Sequence, residues 1–130
     1  MKVAVLTTTF YRSAEETRFH LACQTIGNAV AIGYGVIVVD GSPDPSIRDA
    51  FRKIGADVHR QRTQGMGPSR RELFKLVNVA DAEILVWTEP EKADLVRSIP
   101  KIVAPITSES GGAAIVIPSR TERSWRSYPH

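Results

Sequence analysis

Cysteine is almost missing from this 130-residue chain: Cys23 stands alone, so no intramolecular disulfide can form and a cysteine-based zinc site has nothing to build on. A reducing, cytoplasmic setting is the expectation. The three histidines, His20, His59 and His130, share no ligand spacing, which leaves a histidine metal centre or a Ser/His/Asp triad without support. Long apolar runs are lacking as well. The opening Val3-Ala4-Val5-Leu6 meets polar Thr7 too early for a signal-peptide core, and nothing approaches the roughly 18 apolar residues of a membrane-spanning helix. Neither sign of charge dominates: 17 Lys+Arg against 14 Asp+Glu leave +3. That surplus is small and scattered, so nucleic acid is not an expected partner, although phosphate ligands stay open.

What the chain does hold is apolar material for one core. At 42% hydrophobic and 24% charged residues, with the apolar ones spread along its length, it reads as a single soluble domain over residues 1–130. Short apolar runs alternate with helical stretches, which argues for an α/β fold with a mostly parallel sheet and helices on both faces. Five strands are expected, at residues 3–6, 36–39, around Val58, at 84–87 and at 114–117. Val36-Ile37-Val38-Val39 is the clearest, a β-branched run of the kind buried on both faces.

Ser13 and Glu16 have capping-box spacing, so a first helix is expected from there to about residue 31. Phe19, Ala22, Cys23, Ile26, Ala29 and Val30 form its stripe, and Gly33 suits a left-handed exit. On that stripe Cys23 reads as core rather than as a reactive thiol. A second helix has Asp44 as cap, Pro45 in its first turn, Ile47, Ala50, Phe51 and Ile54 on one face, and Gly55 as stop. A third is expected from about Pro68, using Leu73, Leu76, Val77 and Ala80. A fourth, shorter one covers about residues 93–99 and ends before Pro100, and residues 107–112 read as a loop.

In an open α/β sheet, ligands bind beyond the carboxyl ends of the strands, where loops and helix starts converge. After the first strand comes Thr7-Thr8-Thr9-Phe10-Tyr11-Arg12, which lacks the glycines of a dinucleotide fingerprint and the Gly-Lys-Ser/Thr of a phosphate loop. Thr8, Thr9, Phe10 and Tyr11 suit a nucleobase held by stacking and hydrogen bonds; a polar loop with one ring in the core is the plainer alternative. At the end of the second strand, Asp40 can accept from a ribose hydroxyl or a base imino group, and Gly41 lets the backbone come close.

The segment Gly65-Met66-Gly67-Pro68-Ser69-Arg70-Arg71 puts two arginines near a helix start, where the macrodipole disfavours cations by roughly 0.3–1 kcal/mol each. A diphosphate gripped by Arg70 would compensate; solvation, or pairing with Glu72, Glu89 or Glu91, is the alternative. Glu89 and Glu91 occupy alternate positions after the fourth strand and project to one side, as carboxylates approaching a divalent cation do. An acidic surface turn has the same pattern. The tail from Arg120 mixes cations with Trp125 and Tyr128 but is too short to carry a nucleic-acid reading.

Taken in order, these segments resemble the amino-terminal, nucleotide-binding half of inverting GT-A glycosyltransferases of the family 2 type, over nearly the whole chain. Val38-Val39-Asp40-Gly41-Ser42-Pro43-Asp44 is similar to the family's acidic strand end. Gly65 through Arg70 resembles Gly-x-x-x-Ala-Arg, with Ser69 at the small position, and Glu89-Pro90-Glu91-Lys92 stands where the family has Asp-x-Asp. Ile115-Val116-Ile117-Pro118-Ser119-Arg120 is similar to the later strand that ends in a basic residue. The resemblance implies a three-layer, Rossmann-like GT-A sheet and a nucleotide-sugar donor whose sugar passes to an acceptor hydroxyl. It places the nucleoside on Thr8, Thr9, Phe10, Tyr11, Asp40 and Gly41, the diphosphate on Arg70, and Mg²⁺ or Mn²⁺ on Glu89 and Glu91.

Departures are visible. Thr8 stands where proline is usual, Gly41 replaces a second acidic residue, and the metal motif uses glutamates. In that family the last strand leads to an acceptor-binding region whose carboxylate acts as general base. This sequence reaches His130 before such a residue, so a donor half lacking the acceptor region is expected and no catalytic residue is assigned. Two other classes stay open. One is a non-catalytic nucleotide-binding or interaction module, a homo-oligomer that covers a sheet edge. The other is a nucleotidyltransferase, for which the glycine-rich arginine loop after the first strand is missing.

Overall fold

A computed structural model describes residues 2–77 and 82–107. Strands β1 (Val3–Thr9), β2 (Gly35–Asp40), β3 (Asp57–Arg60) and β4 (Ile84–Trp87) form one sheet in the order β3-β2-β1-β4. Every neighbouring pair is parallel, so the expected Rossmann-like α/β architecture stands. Strands two and three lie to one side of β1 and the fourth to the other. The order therefore reverses between β1 and β4, which makes a crevice at their carboxyl ends.

β1 runs past its expected end. Thr7, Thr8 and Thr9 pair in register with Val38, Val39 and Asp40, so three residues read as loop are strand. Threonine is β-branched and fits a pleated, half-buried position as valine does. Alternation along β1 and β2 then sorts the side chains. Ala4, Leu6, Ile37 and Val39 meet Leu73 of α3 (Met66–Val77), with Leu76 and Val77 packed against them. On the opposite face, Tyr11, Phe19 and Phe51 form a ring cluster with centroids 6.0 and 5.5 Å apart; Phe19 belongs to α1 (Thr17–Ile32) and Phe51 to α2 (Pro45–Ile54). Cys23, on α1, is half-buried, and burial pushes its thiol pKa up.

Local signals place most helix ends. Asp44 Oδ1 accepts from the Ser46 amide at 2.9 Å with Pro45 opening α2, and Gly55 stops it at φ 121°. Gly33, at φ 100°, closes α1 with its N–H 3.0 Å from the Val30 carbonyl. The start of α1 needs correction: the helix begins at Thr17, with Glu16 as the N-cap residue. Ser13 and Glu16 build the turn ahead of it instead. Glu16 Oε2 accepts from the Arg12 and Ser13 amides, and Ser13 Oγ accepts from the Glu15 amide at 3.1 Å.

The third helix starts at Met66, ahead of the expected Pro68, which sits within its first turn, where its missing N–H costs nothing. The expected fourth helix is instead a 3-10 segment (Ala93–Ser98) followed by α4 (Ile99–Thr107). Pro100 opens α4 rather than ending a helix, for the same reason. The chain divides after Arg97 into two units; the first carries the sheet, and the described part of the second is α4. Ala80, the strand expected at 114–117 and the tail lie outside the described residues. Among the described residues no helix is long and apolar enough to cross a membrane.

Candidate functional site

The carboxyl ends of the strands are joined by one polar network. Asp40, with no exposed surface, ends β2. Its Oδ1 accepts from Thr9 Oγ1 and Ser42 Oγ, each at 2.7 Å, while Oδ2 accepts from the Ser42 amide and Arg48 Nη1, each at 3.1 Å. Arg48 Nη1 also donates to the Ser42 carbonyl at 2.9 Å, and Ser42 Oγ accepts from the Tyr11 amide at 2.9 Å. Both carboxylate oxygens of Asp40 thus meet protein donors, and the residue braces the loops after β1 and β2.

The two rings after β1 part company. Tyr11 is buried and Phe10 is 55% exposed, the period-two alternation of β1 carried two residues further: Thr7, Thr9 and Tyr11 point inward on one face. The Tyr11 hydroxyl donates to Glu91 Oε1 at 2.9 Å, and the same oxygen accepts from Arg18 Nε at 3.0 Å and faces Arg18 Nη2 at 2.9 Å. Burial first, and the Glu91 carboxylate second, push the Tyr11 pKa far up, so the phenol stays a donor. This bond crosses the β1/β4 crevice.

Gly41 is pressed between neighbours: a Cβ there would lie 2.6 Å from Gln61 Oε1 and 3.4 Å from Cδ2 of Phe10. Gln61 Nε2 donates to the carbonyls of Thr63 and Gly65, which orients its amide oxygen toward Gly41. Phe10, Gly41 and Gln61 therefore make a continuous surface beside the start of α3.

At that start Arg70 Cζ stands 5.0 Å from the Trp87 ring centroid, with Nη2 3.3 Å from Met66 Sδ. A Cβ on Gly67 would lie 3.6 Å from Arg71 Nη1, so Arg71 also folds back over the first turn, the direction helical side chains prefer. Neither arginine pairs with a carboxylate among the described residues. Glu72, one of the alternatives for them, is committed elsewhere: it accepts from the amides of Arg62 and Thr63 at 2.9 and 3.0 Å and from Thr63 Oγ1 at 3.1 Å. Slight desolvation raises the Glu72 pKa, and these donors outweigh it and hold it below the ordinary carboxylate value.

No protein-family model matches the chain, and no curated protein matches it in sequence. Solved structures do match. CMP:2-keto-3-deoxy-manno-octonic acid synthetase, complexed with CTP, superposes with a TM-score of 0.62 at 13% identity, over 84% of this chain and 48% of that one. A mycobacterial protein superposes with a TM-score of 0.59 at 16% identity, over 81% of this chain and 36% of that one. What they share is the fold. The chain spans about half the length of the first and about a third of the second.

The expected nucleoside residues thus fall into two groups. Phe10 and Gly41 face the open edge and Thr8 is half-buried, whereas Thr9, Tyr11 and Asp40 brace it from within. For a divalent cation, the Glu89 and Glu91 pair is a poor fit as arranged. Glu91 Oε1 faces Arg18 and Tyr11, Glu89 Oε2 is 3.9 Å from Lys92 Nζ, and no cluster of three acidic, histidine or cysteine ligands occurs among the described residues. Ser42, Arg48, Arg18, Gln61 and Trp87 were not expected at the site. A signal for Arg48 exists: it lies four residues after the Asp44 cap and three before Phe51, on the flank of the buried stripe.

Proposed function

We propose that this chain binds a nucleotide-diphosphate sugar, as the donor-binding half of a glycosyltransferase that passes the sugar to an acceptor hydroxyl. The observation that carries the reading is Arg70. It is the fifth residue of α3, on the carboxyl edge of a parallel sheet, with its guanidinium reaching back to Met66, aligned by Trp87, and without a carboxylate partner among the described residues. An anion there gains a charge-assisted bond and meets the positive end of the helix.

In this reading Phe10 stacks on the base, Gly41 admits it, and Asp40, Thr9 and Tyr11 act from behind by fixing the loops. Arg70 faces the diphosphate and offsets the charge that grows on it as the bond to the sugar breaks. The acceptor's proton goes to a base other than these residues. Nucleotidyl transfer is the second reading, favoured by the CTP-complexed synthetase that shares the fold.

Thermal melts with UDP, GDP, dTDP, CTP and UTP, with and without Mn²⁺, test both. Binding raises stability by about 2.7 kcal/mol at a ligand concentration 100 times Kd. A Tm shift with UDP, GDP or dTDP supports the glycosyl-transfer reading. A response confined to triphosphates supports the second reading, and no shift at millimolar concentration rejects both.

A further inference from the structure

Arg18 and Arg48 each brace loops by meeting a carboxylate, Arg18 at 2.9 Å from Glu91 and Arg48 at 3.1 Å from Asp40. Arg70 is treated differently. Its partners are the Trp87 ring, 5.0 Å from Cζ, and the Met66 thioether, 3.3 Å from Nη2. A carboxylate would cancel the charge and have to be displaced by an incoming anion. A ring face and a sulfur fix the guanidinium in place and leave its charge, and most of its N–H donors, available.

Trp87 itself is poorly used as core. It ends β4 as the register partner of Leu6, on the face that α3 covers over β1 and β2, yet it stays 41% exposed. A large indole kept half in water at a strand end, directly under a guanidinium without a described carboxylate, has a use other than packing.

We propose that Trp87 is a positioning residue: it holds Arg70, which has no carboxylate partner among the described residues, pre-aimed as a clasp for a pyrophosphate-type anion. The proposal rests on the nucleotide reading for its natural ligand, a nucleoside diphosphate group, and deepens it by adding a residue on β4 to a grip formed on α3. Pre-orientation removes rotamer freedom that Arg70 would otherwise lose on binding, so the effect belongs in affinity for the phosphate end and not for the nucleoside end.

The test uses the full chain with Trp125→Phe, so that Trp87 is the remaining tryptophan and its emission reports the clasp. Inorganic pyrophosphate and UDP, GDP, dTDP and CDP are titrated, with uridine and guanosine as phosphate-free controls. The phosphate-bearing probes are expected to change Trp87 emission and the nucleosides to leave it unchanged. On the unmodified background, Trp87→Phe is expected to bind diphosphates nearly as the parent does, and Trp87→Leu roughly three- to ten-fold more weakly. Urea unfolding of both variants separates lost folding from lost grip.

Diphosphate binding by folded Trp87→Leu equal to the parent's, or binding that leaves Trp87 emission unchanged, overturns the positioning role while the nucleotide reading survives. A pyrophosphate response with no nucleotide binding supports the clasp and overturns the nucleotide reading. Silence from every probe overturns both.

Discussion

Asp40 and Arg48 meet at 3.1 Å with side chains that are 0% and 10% exposed, so each leaves the other uncompensated if removed. Breaking such a pair from one side costs about 3–5 kcal/mol, because a buried charge loses its partner. Asp40→Ala is therefore expected to lower the unfolding free energy by about 3 kcal/mol or more, read from urea melts at neutral pH. A loss below about 1 kcal/mol would mean that Arg48 reaches water. Gly41→Ala should behave differently. Its Cβ would meet the end of the Gln61 side chain, which can swing away at small cost to folding, but only by giving up its bonds to the Thr63 and Gly65 carbonyls. Stability is expected to change by less than about 1 kcal/mol while nucleotide affinity, read by calorimetry, falls. The sequence makes Asp40 conspicuous as a strand-end acid but does not reveal its partner, because Arg48 comes to it only once α2 packs. The Phe10 and Tyr11 alternatives are decided by parity along β1, which becomes readable once Thr7, Thr8 and Thr9 are taken as strand.

At the scale of elements, the best-read parts are those whose cause lies within a few residues. Asp44, Pro45 and Gly55 bound α2, and Gly33 ends α1, because caps and left-handed exits are local chemistry. What escapes is the contact made across an intervening loop. Glu72, on α3, reaches back to the amides of Arg62 and Thr63 just after β3 and so pins the β3–α3 connection beside Gln61 and Arg70. Its carboxyl is held below its unfolded value, which fixes the sign of its linkage. The stabilisation is present above the unfolded carboxylate pKa of about 4.3 and is lost as pH falls through the lower folded value. Glu72→Gln is thus expected to melt below the parent at neutral pH, with the gap closing as the pH drops beneath about 4. The gap is small, since the group is solvated. Melts of both proteins across that range check it, and a gap constant with pH would show that the loss is of packing and not of the carboxylate's bonds.

For the molecule as a whole, the question is which edge of the sheet receives a ligand. Alternating strands and helices were legible as a parallel α/β fold, but the order β3-β2-β1-β4 depends on how crossovers wind and on which neighbour each strand chooses, and no single segment encodes that. The order locates the crevice at the carboxyl ends of β1 and β4. The opposite edge holds an open groove of about 660 Å³ whose lining includes Lys2, Ile32, Tyr34, Gly55, Asp57 and Ala82. Chemistry favours the carboxyl edge, where Phe10, Gly41, Gln61 and Arg70 present a ring, a close backbone approach, an oriented acceptor and a cation. We give that chemistry the weight, because a few placed polar groups beside an aromatic face are what fix the orientation of a ligand. Hydrogen exchange with and without a saturating nucleotide decides the matter. Amides that exchange only through global unfolding should slow everywhere by roughly 100-fold at 100 times Kd. Those that open locally should gain protection around Phe10, Gly41, the loop from Gln61 to Gly65 and the start of α3, and not around Gly33, Tyr34 and Gly55. Local protection confined to the groove would move the site to the other edge of the sheet, and with it the roles given to Arg70 and Trp87.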